Sequence, residues 1–551
     1  GSGNFLTESY LSLRRLENQV IEERIILDKG RHGYQVAGQV AWGEGALNPV
    51  KVSIHQFYGI EINDFAATVA KTALWIAESQ MLKETEDIVA HQIDFLPLKS
   101  YANITEANAL RLDWQTVVPK EKLNYIMGNP PFVGASMMTK VQKEEAVAVF
   151  GKGKRVNSID YVGAWYHKAA ALLENTATRV AFVSTNSITQ GEQVAPLWEK
   201  LLNTYKVHID FAYRTFKWNS EAKEKAAVHC VIIGFSNAYN THPKYIYTNG
   251  VTRQEAQNIN PYLVDAPDIL ISSRGSALCD VPRMTKGNQP SDGGNLILSQ
   301  EERDELLSKD ASIVPCVRRY VGSKDFINND EVRYCLWLKG ISPTVYRKNS
   351  EIMRRLDAVR QMRLASTAAP TRALADKPYL FFSTPQTDSN YLCIPEVSSE
   401  RRRYIPIGFM DKSVIASNKL LIVPDATLYH FGILTSNVHM AWTRTVCGRL
   451  KSDYQYSGAT VYNNFPWPTP TDEQKGRIEQ TAQAILDARD LYPDCSLADL
   501  YDEATMPPEL RRAHQQNDKA VMQAYGFWGK LNSESACVAE LMRMYQGLTE
   551  K

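Results

Sequence analysis

Through the first 250 or so residues short apolar runs alternate with longer amphipathic stretches, and this alternation restricts the fold more than any other feature of the chain. SIHQFYGIEI (53–62) reads as a strand, and NDFAATVAKTALWIAESQML (63–82) as a helix capped by Asn63 or Asp64. The pattern continues with LNYIMGNPPF as a strand running into a turn, SIDYVGAWYHKAAALLENTA (158–177) as a helix, TRVAFVSTNSI as a strand and VAPLWEKLLNTY as a helix. Three strand candidates then follow in succession, VHIDFAYRTF, AAVHCVIIGF and KYIYT. Alternation of this kind means a mostly parallel sheet covered on both faces, and the successive strands predict an antiparallel edge. Residues 1–255 are therefore expected to form a doubly wound α/β domain.

At 551 residues the chain exceeds what one core ordinarily supports, so further domains are expected. Residues 256–300 turn polar and irregular and read as a linker. Residues 301–468 mix a helix, EIMRRLDAVRQMRLAS, with short strand-like pieces at KPYLFFST, NYLCIPEV, RRYIPIGF and NKLLIVP, which predicts a mixed α+β domain. Beyond it, residues 469–551 read as helical, opening at a capping box from Thr471 to Gln474.

Charge is unevenly spread. Residues 281–470 hold 25 Lys and Arg against 18 Asp and Glu, and residues 471–551 hold 9 against 14, although the whole chain carries only +1. A basic middle suits a surface that faces nucleic acid, because phosphate neutralisation supplies most non-specific affinity. No run of eighteen apolar residues and no charged-then-apolar leader is present, so a cytoplasmic chain with no membrane partner is expected. The eight cysteines include no C-x-x-C pair, which predicts neither disulfide nor zinc.

Doubly wound sheets bind ligands beyond the carboxyl ends of their strands. Four pieces of sequence stand at such places. GSGNFL is a tight glycine turn entering a helix; Glu61 closes the second strand, where an acid can accept from ribose hydroxyls; Asn108 in NALRLDW begins or ends a further short strand; and Asn129-Pro130-Pro131-Phe132 follows Tyr125-Ile126-Met127-Gly128. The two prolines fix φ and remove two donors, leaving carbonyls free to accept hydrogen bonds from another group.

In this order the four pieces resemble the γ-order amino-methyltransferases of DNA. The likeness extends through SIDYVGAWYHKAAALLENTATRVAFVSTNSITQGEQVAPLW and FKWNSEAKEKAAVHCVIIGF to RRYVGSKDFINNDEVRYCLWL, PEVSSERRRYIPIGF, FGILTSNVHMAWTRTVCGRLKSDYQYS and VYNNFPWP, and nearly the whole chain is similar to the MmeI-like (type IIL, type IIG) restriction-modification proteins. The resemblance implies a Rossmann-like methyltransferase domain, a DNA target-recognition domain and a helical C-terminal region. It implies S-adenosylmethionine as cofactor, with its methionine part by Gly1, Ser2, Gly3 and Phe5, its ribose on Glu61, and its adenine against Ile62 and Asn108, where relatives usually have aspartate. It implies methyl transfer to adenine N6 of a base swung out of duplex DNA, with Asn129 and Pro130 accepting from the amine, Pro131 stiffening the turn, Phe132 stacking on the base and Trp218 nearby. Cytosine N4 as the target, or a catalytically silent recognition module, are the alternatives.

Arg318, Arg319, Lys324, Arg402, Arg444, Arg449 and Lys451 are the cations expected to meet DNA, with pairing to acids such as Glu396, Glu400 or Asp453 as the competing fate. Relatives carry an Asp-Pro-x-Cys segment and a first strand before the glycine turn, and a nuclease and helical connector upstream. A chain opening at Gly1 is thus expected to be a fragment or a short relative lacking part of the cofactor pocket. An E-x-K pattern, Glu221 and Lys223 with Asp210, falls within a segment that the methyltransferase motifs already explain.

Overall fold

The computed structural model describes residues 3–32, 49–90, 93, 103–151, 156–218, 228–237 and 242–550. The chain forms two compact units, residues 1–184, 200–210 and 232–242 in the first, and 185–199, 211–231 and 243–551 in the second.

The first unit opens with α1 (Asn4–His32), followed by β1 (Tyr58–Glu61), α2 (Asp64–Val89), β2 (Asn103–Glu106) and β3 (Tyr125–Gly128). Asn63 is the cap of α2, its Oδ1 accepting from the Ala66 N–H at 2.8 Å. Ala67, Ala70, Leu74, Ala77 and Met81 recur at helical spacing and bury one face of α2 in a core shared with Tyr10, Ile54 and Ile104. The fully buried Arg14 on α1 reaches Thr85 of α2, its Nη2 donating to the hydroxyl at 2.7 Å. Strands β1 and β2 pair in parallel with Glu61 opposite Glu106, so their carboxyl ends are level.

After α3 (Lys140–Phe150) and α4 (Gly163–Leu172) comes β4 (Arg179–Thr185), parallel to β3 with Gly128 opposite Phe182. With α5 (Val194–Asn203), β5 (His208–Trp218), β6 (Val228–Ser236), β7 (Lys244–Thr248) and β8 (Thr252–Ala256), the larger sheet takes the order β3-β4-β6-β5-β7-β8. The sheet ends in an antiparallel β7–β8 pair, an edge of the expected kind, although β8 is a strand that the sequence reading lacks and β5 and β7 pair in parallel.

Two segments differ from the sequence reading. Strand β1 is shorter than SIHQFYGIEI, because Ser53 and Gln56 close a capping box that turns Ile54–Gln56 into a 3-10 helix. The helix read over 158–177 is confined to Gly163–Leu172, since Asp160 and Tyr161 bond to the loop after β3 instead.

Among its described residues the second unit holds, besides β7 and β8, two four-stranded sheets and one of three strands. Thr285–Lys286 and Ile297–Leu298, inside the stretch read as a linker, each join one of the four-stranded sheets. KPYLFFST forms no strand; only Ser383 bridges, to Gln289. Helices Asp472–Asp490, Leu497–Leu500, Pro508–Ala524 and Glu534–Thr549 follow, the first with the expected Thr471–Gln474 box. Among the described residues no helix is long and apolar enough to cross a membrane.

Candidate active site

Every candidate for cofactor and amine binding that is described, Trp218 apart, lies in the first unit. Gly1 and Ser2 fall outside the described residues, as do Glu221 and Lys223 and the side chain of Trp218 at the end of β5. Asp210 lies 3.5 Å from the ring nitrogen of His208.

Gly3 is needed as glycine. Its φ is +83°, and a Cβ there would come within 2.5 Å of the Ala70 Cβ on α2. Gly3→Ala is expected to cost about 1–3 kcal/mol, read as a lowered urea midpoint. Its carbonyl accepts from the Thr7 N–H at 3.0 Å, starting the helix on which Phe5 is exposed. One turn on, Ser9 Oγ contacts the Phe5 carbonyl at 2.5 Å and the Met127 thioether of β3 at 3.1 Å.

Glu61 ends β1, where an Oε accepts from the Asn63 N–H at 3.0 Å and its carbonyl from the Ala107 N–H at 2.9 Å. Beside it Ile62 and Phe65 are 67% and 75% exposed, two large apolar side chains next to a carboxylate that only accepts.

Asn108 lies two residues beyond β2, in a loop held from behind. The Lys168 ammonium donates to the carbonyls of Ala109 (2.9 Å), Leu110 (3.2 Å) and Leu112, and Trp114 Nε1 donates to Ala109 at 2.8 Å. Burial lowers the pKa of Lys168, with Asp113 opposing. The Asn108 amide bonds on both sides, Nδ2 to Glu145 Oε1 at 2.9 Å and Oδ1 from the Leu110 N–H at 2.9 Å.

Beyond β3, Asn129 is exposed and makes no hydrogen bond to any described residue, whereas Pro130 is buried, Pro131 exposed and Phe132 half-buried. The loop is pinned directly downstream. The Tyr161 N–H donates to the Val133 carbonyl at 3.0 Å, and the Ala135 N–H to Asp160 Oδ1 at 2.9 Å. A Thr139–Gln142 capping box then starts α3. An exposed amide in a loop pinned just downstream stands next to a carbonyl whose own residue lacks an N–H, two candidate acceptors for a donor pair. Glu145, Asp160 and Tyr161, which support this arrangement, carry no motif that would mark them in the sequence.

Residues 1–248 match the family described as MmeI, DNA-methyltransferase domain, residues 265–469 that described as MmeI, target recognition domain, and residues 470–551 that described as MmeI, C-terminal domain. The solved structure of the Type IIL restriction-modification enzyme MmeI in complex with DNA is 44% identical, with a TM-score of 0.83 over 100% of this chain and 72% of that one. The chain belongs to the MmeI family of DNA methyltransferases. DNA methyltransferase A of Bacillus subtilis (strain 168) is 39% identical over 554 residues, and the chain spans 61% of that protein's length. This family generally uses S-adenosylmethionine.

Across the MmeI-type recognition segment the expected cations part ways. Arg444 is committed to the protein, Nη1 on Glu534 at 2.9 Å and Nη2 on the Arg403 carbonyl at 2.7 Å. Arg449 donates to the carbonyls of Arg444 (3.0 Å) and Ser452 (3.2 Å) and lies 4.1 Å over the Tyr454 ring. Arg318 and Arg402 are half-buried, and burial lowers the pKa of Arg402 against the pull of Asp453 and Asp502. Arg319, Lys324 and Lys451 are exposed, Lys451 with φ +59° between strands Gly448–Leu450 and Asp453–Gln455. Glu396 takes Lys286 and Lys419 rather than one of the arginines.

Proposed function

We propose that this chain transfers a methyl group from S-adenosylmethionine to the N6 amine of adenine in duplex DNA. The observation that carries the reading is the loop after β3, where the exposed Asn129 amide, bonded to no other described residue, and the Pro130 carbonyl stand at the carboxyl end of a parallel strand. An exocyclic adenine amine is a weak nucleophile because its lone pair is delocalised into the ring. When Asn129 Oδ1 and the Pro130 carbonyl accept its two hydrogens, the nitrogen is drawn toward tetrahedral geometry and its lone pair is freed. The same oxygens stabilise the positive charge that grows on nitrogen. The proton lost afterwards passes to solvent, so no side-chain base is required.

The residues present fit the cofactor. Glu61 offers acceptors for a ribose diol, exposed Ile62 and Phe65 offer an apolar platform for a purine, and Gly3 to Phe5 open the helix beside them. When bound, the cofactor supplies the electrophilic methyl group. Phe132 stacks on the extruded base, which must leave the duplex to reach the loop. Phe132→Ala is expected to raise the KM for duplex DNA about 5- to 100-fold, from a stacking contribution of about 1–3 kcal/mol; an unchanged rate at subsaturating DNA would contradict this.

The test is digestion of methylated duplex to nucleosides. N6-methyldeoxyadenosine supports the reading, and N4-methyldeoxycytidine would move the same chemistry to cytosine. DNA binding with no calorimetric signal from the cofactor would mark a recognition module instead. In the longer protein the reading places this chain in a restriction-modification or phage-defence system in the cytoplasm, with a nuclease and helical connector upstream, and with Arg319, Lys324 and Lys451 among its duplex contacts.

A further inference from the structure

We propose that Glu145 is a positioning residue whose carboxylate turns Asn108 into an acceptor for the exocyclic amine of the cofactor's purine. The inference rests on the adenine-side role of Asn108 proposed above.

An asparagine amide has two unlike ends, a donor NH2 and an acceptor oxygen, and nothing in the side chain itself decides which end faces a ligand. Glu145 and the Leu110 N–H decide it here together. Glu145 is 8% exposed, and its oxygens face three donors, Asn108 Nδ2 at 2.9 Å, Arg111 Nε at 2.7 Å and the Tyr161 hydroxyl at 2.5 Å. An ionised carboxylate has no proton to give, so the amide end beside it must be the NH2. The oxygen is thereby turned away, toward the Leu110 N–H at 2.9 Å, and keeps a second lone pair for another donor. An aspartate at position 108 would present acceptors at both ends and would need no such neighbour, so the Asn108–Glu145 pair performs together what a lone carboxylate does. The carboxylate also ties the two loops together, because Tyr161 hydrogen-bonds the loop after β3 through its own N–H.

A purely structural Glu145 would support α3 and leave the purine edge unread. The distinguishing measurement is calorimetric binding, on the full-length protein, of S-adenosylhomocysteine and of its inosine counterpart, in which a carbonyl replaces the amine. Wild type is expected to prefer the adenosine compound. Glu145→Gln, whose amide can turn its own NH2 toward Asn108 and compete with the Leu110 N–H for the orientation of that side chain, should weaken adenosine binding about 2- to 10-fold and reduce the preference. Asn108→Asp alone, which sets two carboxylates together, should also weaken it. The double variant Asn108→Asp with Glu145→Gln should recover affinity and preference, because the introduced glutamine amide donates to the new carboxylate. An undiminished preference in Glu145→Gln, or no recovery in the double variant, overturns the role of Glu145. An undiminished preference in Asn108→Ala overturns the Asn108 reading itself, which separates the two failures.

Discussion

Replacing Asn129 by alanine is expected to slow methyl transfer by about 10²- to 10³-fold, the loss found when one preorganised hydrogen-bond partner is removed from a developing charge. Cofactor affinity should stay within about twofold of wild type, because the cofactor candidates Glu61, Ile62 and Asn108 share no hydrogen bond with Asn129. The side chain is exposed and bonded to no other described residue, so its removal should cost at most about 0.5 kcal/mol of stability. Asn129→Asp retains an acceptor at the same place and should recover much of the lost rate. Single-turnover kinetics with excess enzyme, alongside calorimetry with the cofactor, separate these effects. An equal fall in transfer rate and cofactor affinity would show that Asn129 holds the pocket rather than the amine.

The parts of the site that sequence made legible are those fixed by residues close along the chain. The Thr471–Gln474 box stands as read, and of the two caps read for α2, Asn63 and Asp64, the structure takes Asn63; both are decided within one helical turn. The turn after β3 was legible for the same reason, since two prolines after a strand leave few conformations open. Local chemistry also misled: SIHQF has the composition of a strand, but Ser53 and Gln56 satisfy each other across a single turn and win. What could not be read depends on partners far apart in sequence. Glu145 meets Asn108 across 37 residues, Asp160 meets Ala135 across 25, and Arg444 meets Glu534 across 90. Whether a cation ends on phosphate or on a carbonyl is settled by such contacts, and no spacing rule records them.

KPYLFFST belongs to the same class of error, and its cause identifies the most demanding group in the second unit. Arg363, on helix Ser350–Leu364, is fully buried, and its five N–H donors all end on backbone carbonyls. Nε reaches Ser291 at 3.1 Å, Nη1 reaches Leu374 and Lys377 at 3.2 and 3.0 Å, and Nη2 reaches Pro290 and Leu380 at 3.1 and 2.7 Å. Two of those carbonyls, Lys377 and Leu380, belong to KPYLFFST, and the Lys377 carbonyl also accepts from the Leu380 N–H, so the run begins as a turn rather than a strand. Burial lowers the pKa of the guanidinium, opposed by the Asp292 carboxylate, and the charge is held largely by carbonyl dipoles. Arg363→Met fills the same space but takes the guanidinium donors from the Ser291 and Leu380 carbonyls, while those of Leu374, Lys377 and Pro290 keep backbone donors. The expected loss is about 2–5 kcal/mol, a large share of the roughly 5–15 kcal/mol that holds an ordinary domain folded. In urea the transition of the second unit should fall by about 1–3 M. Arg363→Lys keeps the charge but brings three donors without the planar fork, so it should lie between the two. A midpoint for Arg363→Met within experimental error of wild type would mean that water or a shifted backbone satisfies the Ser291 and Leu380 carbonyls without the guanidinium.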